Sequence, residues 1–236
     1  MDVAEHASAF DRHDRDVVYR CIFERRDVRS GFQPNPIPDE TLARILRAGH
    51  HAPSVGFMQP WDFVVVRREA TKRAVHDAFR DANAEAAEMF PHEQRGAYRA
   101  LKLEGILEAP IGLCITCDRS RHGPVVLGRT HQPATDLYSV VCAVQNMWLA
   151  ARAEGVGIGW VSIISLDALR AALAIPAEIE PVAYLCLGYV DGFARRPELE
   201  TKGWLARLRL SEVVSFERFR APGDGDGLAA ELDRSA

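Results

Sequence analysis

From Thr135 or Asp136, either of which can cap a helix, Leu137, Val140, Val141, Val144, Met147, Trp148 and Ala151 recur at helical spacing. They cover nearly the whole circumference of one helix. Such a helix belongs at the centre of a fold, so other layers have to cover it. Four β-branched and aromatic runs, residues 61–66, 111–117, 157–164 and 181–190, read as strands that supply one such layer. Gly155 stops the central helix just before the third. The other helices follow from spacing as well. One starts at Asp14 with Val17, Val18, Cys21 and Ile22 on one face. A second starts at Pro38, carries Leu42, Ile45 and Leu46, and stops before Pro53. A charged stretch running to about Glu108 divides into two helices near Pro91, and residues 166–174 form a short one. Helices cluster early and alternate irregularly with strands, which predicts one α+β domain with a mixed central sheet flanked by helices. The domain spans residues 14–219, between tails at 1–13 and 220–236 that have little to bury and are expected to be mobile.

The 236 residues suffice for a full core, and the 47% apolar and 26% charged fractions exclude disordered and fibrous classes. With 29 basic against 33 acidic side chains, the net charge of -4 argues against nucleic acid or an anionic membrane as a partner. No apolar run reaches the roughly 20 residues of a membrane helix, and the first residues lack the apolar core of a signal peptide, so a cytoplasmic protein is expected. Five cysteines, an odd number scattered in apolar segments, suit reduced, buried thiols. Cys114 and Cys117 have the C-x-x-C spacing of redox and zinc sites. They lie inside a strand, however, where residues three apart face opposite ways. No histidine spacing suits a metal, so none is expected. The glycines of GVGIGW follow a helix and open a strand, the reverse of the Rossmann order.

Two segments carry candidate chemistry. Arg25, Arg26 and Arg29 fall within five residues of an acidic chain, and Arg25 and Arg29 share a helical face if the first helix reaches that far. Forked guanidiniums suit a phosphate monoester, although a solvated helix end satisfies the same run. Arg195 and Arg196, after the last strand, form a second basic cluster with the same two readings. Residues 52–61, APSVGFMQPW, join a helix to a strand and offer the Ser54 hydroxyl, the Gln59 amide and flat apolar surface, a pocket suited to a planar ligand.

Three motifs in order, R-R-D-V-R at 25–29, A-P-S-x-x-x-x-Q-P-W at 52–61 and G-V-G-I-G-W-V-S-I at 155–163, resemble the nitroreductase-like flavoproteins. Within them they resemble the BluB-type 5,6-dimethylbenzimidazole synthases, or flavin destructases, over about residues 14–219. The resemblance implies an FMN-binding α+β fold and a homodimer with two sites at the subunit interface. It also implies a domain-swapped C-terminal arm, for which residues 210–219 are the candidate. Arg25, Arg26 and Arg29 would hold the FMN phosphate and ribityl chain, with Arg195 closing on the phosphate. Ser54, Met58 and Gln59 would line the ring, and Val28, Gly159 and Trp160 would complete the binding set. General nitroreductases place Asn where Phe57 stands and Ser where Asp27 stands, and both departures match the destructase subgroup.

The implied reaction is the oxygen-dependent fragmentation of reduced FMN to 5,6-dimethylbenzimidazole and erythrose 4-phosphate, which supplies the lower ligand of cobalamin. A separate NAD(P)H flavin reductase would be the partner that provides reduced FMN. Asp27, among three arginines, is expected to stay ionised and accept a proton, and Ser162 to hydrogen-bond near the ring. A lid is expected from residues 90–107. The competing readings are an NAD(P)H-dependent FMN nitroreductase or quinone reductase, and a non-catalytic flavin carrier.

Overall fold

A computed structural model describes residues 9–220, 228, 231 and 232. The chain divides into two compact units, residues 1–193 and 194–236, where the sequence pattern predicts one domain over 14–219. The tails expected at both ends lie largely outside the described residues. Arg12 and His13 of the first tail belong instead to the opening helix.

The first unit is built on a four-stranded sheet of β1 (Trp61–Val66), β2 (Ile111–Cys117), β3 (Val156–Val161) and β4 (Glu180–Tyr189), ordered β1-β2-β4-β3. The expected mixed sheet is corrected here, because all three strand pairings are antiparallel. Its parallel element is a single bridge between Asp27 and Ile158. The central strands are buried on both faces, which is why 111–117 reads as an unbroken apolar run. Leu113, Ile115, Leu185 and Leu187 face a core completed by α2 (Asp39–His50) and α5 (Thr135–Ala153). Cys114, Tyr184 and Cys186 face the opposite core, with Val75 and Phe79 of α3 (Glu69–Met89) and Leu169 of α6 (Leu166–Leu173). Cys114 and Cys117 therefore sit in different cores, and burial pushes each thiol up to about 12, which suits neither redox nor metal chemistry at neutral pH. Cys142 departs from the expected burial and is exposed.

Three helical expectations change. Helix α1 (Arg12–Glu24) buries none of its residues, and Val17, Val18 and Ile22 are exposed. It also ends at Glu24, so Arg25 and Arg29 do not share a helical face. Helix α5 buries Val140, Val144, Met147 and Ala151, yet Tyr138, Val141 and Cys142 form an open apolar stripe. After α4 (His92–Arg99), residues 100–109 turn rather than continue as helix, and the buried Lys72 ammonium holds the Ala109 carbonyl at 2.9 Å. Among the described residues, no helix is long and apolar enough to cross a membrane.

In the second unit, α7 (Glu198–Thr201) is one short turn, and Leu205, Leu208, Leu210, Val213 and Phe219 are exposed. In the first unit, Leu113 is fully enclosed at the centre of β2. Leu113→Ala is expected to lower unfolding stability by about 3 kcal/mol, read from the urea midpoint.

Candidate functional site

Residues 25–29 leave α1 in extended conformation and close the free edge of β3, with the Val28 N–H donating to the Ile158 carbonyl at 2.9 Å. The approach is close: a Cβ on Gly159 would sit 2.0 Å from the Val28 carbonyl oxygen, so this strand position has to be glycine. Each side chain of the segment then takes a fixed place. The Arg25 guanidinium lies over the Trp148 ring, 4.7 Å from its centroid. Arg26 turns back and donates to the carbonyls of Phe23 and Arg25 at the end of α1, while its own carbonyl accepts from the Trp148 indole at 3.2 Å. Asp27 accepts from the Trp160 N–H at 3.0 Å and pairs with Arg29, whose Nε is buried with no hydrogen-bond partner among the described residues.

Asp27 is expected from sequence to stay ionised among the arginines, and the structure adds an opposing pull from burial. Burial pushes its carboxyl above the ordinary aspartate range, against the pull of Arg29, the Trp160 N–H and Arg25. Ser162 follows the end of β3, two residues after Trp160, and is exposed. Arg195 is exposed and belongs to the second unit.

Ser54, Met58 and Gln59 lie elsewhere. Residues 54–59 enter β1 at the opposite edge of the sheet, three strand spacings or ~14 Å from β3. The Ser54 hydroxyl accepts from the Gln59 N–H at 3.1 Å, and Ser139 of α5 accepts from the Val55 N–H at 3.0 Å. Met58 is fully buried, so its side chain anchors the loop from inside and offers no face to a ligand. Phe57 is 80% exposed and has a left-handed backbone, as does Gln59. One chain thus brings Arg25, Arg29, Asp27, Gly159, Trp160 and Ser162 together, and holds Ser54 and Gln59 in a second group across the sheet. The sequence reading missed Trp148 as the platform for Arg25, having placed it only on a buried helix face. It also missed Arg121, which donates to the Gln59 carbonyl at 2.7 Å; no spacing signalled that contact.

The fold, together with an arginine-lined edge carrying a half-buried carboxylate, places this chain in a class. It belongs to the nitroreductase family, whose model matches residues 22–189. Within that family it is 45% identical to the 5,6-dimethylbenzimidazole synthase of Rhodospirillum rubrum, over 84% of this chain and 93% of that protein. It is 36% identical to the enzyme of the same name from Rhodobacter capsulatus, over 84% and 96%. Among solved structures, a BluB-like flavoprotein from Clostridium difficile superposes with a TM-score of 0.65 at 20% identity, covering 89% of this chain and all 100% of that one. An iodotyrosine deiodinase bound to FMN and 3-iodo-L-tyrosine superposes at 0.68 and 21%, covering 86% and 100%. These two likenesses establish the fold.

The raised pKa of Asp27 has a thermodynamic consequence. A carboxyl whose folded pKa exceeds its unfolded value favours the fold below the unfolded pKa. That stability is lost as pH rises through the folded value. Asp27→Asn removes the titration and keeps an acceptor for the Trp160 N–H. Melts from about pH 4 upward are expected to show the difference in melting temperature moving in the variant's favour as pH rises. A constant difference would contradict the shift.

Proposed function

We propose that this protein carries out the oxygen-dependent fragmentation of reduced FMN to 5,6-dimethylbenzimidazole and erythrose 4-phosphate. The observation that carries this reading is Asp27, a half-buried carboxylate fixed between Arg29 and the Trp160 N–H in a chain closely related to enzymes of that name. The residues present suit FMN. The buried, unpartnered Arg29 Nε–H and the Arg25 guanidinium provide donors for an anionic or hydroxyl-rich group, and the exposed hydroxyl of Ser162 lies at the end of the adjoining strand.

When bound, reduced FMN supplies the electrons and the carbon skeleton on which oxygen acts. The protein's part is to orient the flavin, exclude water and move protons. Arg25, Arg26 and Arg29 hold the phosphate and ribityl chain, with Arg26 leaving its carbonyl partners to do so, and Arg195 closes on the phosphate. Val28, Gly159 and Trp160 form the wall behind them. With a pKa above the ordinary range, Asp27 is a stronger base than a free aspartate and accepts the proton released as the ribityl carbons separate. Ser162 donates a hydrogen bond near the ring and favours fragmentation over release of peroxide. The segment 90–107 acts as the lid. At its C-terminal end, a Cβ on Gly105 would lie 3.2 Å from the Arg29 carbonyl oxygen, so it sits against the arginine segment.

The two groups of residues at opposite sheet edges come together between two copies of the chain, with Ser54 and Gln59 supplied by the partner's loop and Met58 holding that loop from inside. A homodimer is supported by the open stripe Tyr138, Val141 and Cys142 on α5 and by the exposed apolar positions of α1. Residues 210–219, with Leu210, Val213 and Phe219 exposed, serve as the exchanged arm. A separate NAD(P)H flavin reductase supplies reduced FMN in the cytoplasm.

Mixing the protein with chemically reduced FMN in air, without NAD(P)H, is expected to bleach the flavin and yield 5,6-dimethylbenzimidazole by mass spectrometry. Clean recovery of FMN would move the reading to a reductase or carrier. Asp27→Asn and Ser162→Gly are expected to retain FMN binding and lose product; normal product from both would remove their assignment. Val141→Glu buries a charge in the proposed dimer face, so light scattering is expected to report a monomer lacking activity.

A further inference from the structure

Residues 118–134 contain three arginines whose donors are directed at the protein itself. Arg129 donates to the Gly123 carbonyl at 3.2 Å, the Pro124 carbonyl at 2.9 Å and the Arg119 carbonyl, and reaches Asp136 Oδ2 at 3.5 Å. Arg119 Nε donates to the same carboxylate oxygen at 3.1 Å and its Nη2 to the Pro133 carbonyl at 3.0 Å. Asp136, in the first turn of α5, is fully buried and lies between both guanidiniums. These bonds fold the segment onto itself and fasten it to the helix.

The folded segment is applied to the loop 54–59. Arg121 donates to the carbonyls of Gln59 at 2.7 Å and Trp61 at 3.0 Å, and the Asp118 N–H donates to the Pro60 carbonyl at 2.7 Å. At the other end, a Cβ on Gly56 would lie 2.7 Å from both the Leu127 carbonyl oxygen and Val126 Cγ1, leaving no room for the loop to move toward this segment. Between these contacts Phe57 and Gln59 hold φ of 55° and 49°. Non-glycine residues stay in that region only when their surroundings over-determine them.

We infer that residues 118–134 are a brace that fixes the left-handed backbone of the loop 54–59. Arg129 and Arg121 act as positioning residues for flavin handling while touching no flavin. The link to flavin rests on the proposed function; the brace does not.

The test uses the full chain and two readouts. Hydrogen exchange in flavin-free protein follows the amides of 54–61, and steady-state kinetics follow KM and kcat for reduced FMN. Arg129→Met is expected to accelerate exchange of this loop about tenfold or more and to raise KM for reduced FMN about tenfold, since small displacements of positioning groups have effects of that order. Exchange at the Asp27 bridge is expected to be unchanged. Arg44→Met, which breaks the exposed pair with Glu154, controls for general destabilisation and is expected to change neither readout. If Arg129→Met does not fold, Arg121→Met removes the clamp on Gln59 and Trp61, together with the pairs to Asp62 and Asp118, and carries the same expectation. Parent-like exchange in the folded variant overturns the brace, and faster exchange with unchanged KM overturns the positioning role. Faster exchange in a chain whose parent does not consume reduced FMN leaves the brace and removes the proposed function.

Discussion

A strand at the edge of a sheet presents unpaired N–H and C=O groups, and here the free edge of β3 meets the backbone of Asp27 and Val28. That pairing requires a strand position without a Cβ, because the Val28 carbonyl occupies the space a side chain on Gly159 would take. From it follow the extended path of 25–29, the Trp160 N–H bond to Asp27 and the placement of Arg25 on Trp148. The arginines therefore form a cradle because the sheet needs its edge closed.

The electrostatics of the cradle follow from the same docking. Three arginines near a carboxylate suggest a depressed pKa, yet the backbone that carries Asp27 is pressed against β3, and the loss of water outweighs the guanidiniums. A group poised in this way accepts a proton more readily than a solvent-exposed aspartate. One physical fact, burial at a sheet edge, thus fixes both the position of the candidate base and its strength.

The second half of the site depends on different forces. Its loop holds two non-glycine residues in left-handed conformation, and hydrogen bonds from Arg121 and Ser139, with the buried Met58 beneath, keep it there. Helix α5 links the halves: its first turns carry Asp136 and Ser139, and its last turns carry Trp148 and Arg152, which pairs with Glu24 of α1. That explains why this helix is apolar on the faces turned to the sheet and to α2. The same helix leaves one apolar stripe, at Tyr138, Val141 and Cys142, open.

Strand and helix identities were legible in the sequence because they depend on local periodicity. Residues 61–66 and 111–117 form strands at the expected boundaries, and the chain breaks into two helices at Pro91. The motifs also named most of the residues that the structure gathers into the two candidate groups. Pattern could not decide that α1 ends before Arg25, that the strand pairings are all antiparallel, or that Met58 points inward. Those outcomes depend on contacts between residues far apart in the chain. Nor could composition show that burial outweighs the pull of Arg29 and Arg25 at Asp27, or that arginines at 119, 121 and 129 fold a loop. The types of residue and their spacing were determined by the sequence alone; which charges lose water, and which backbones meet, was decided only when distant segments packed together.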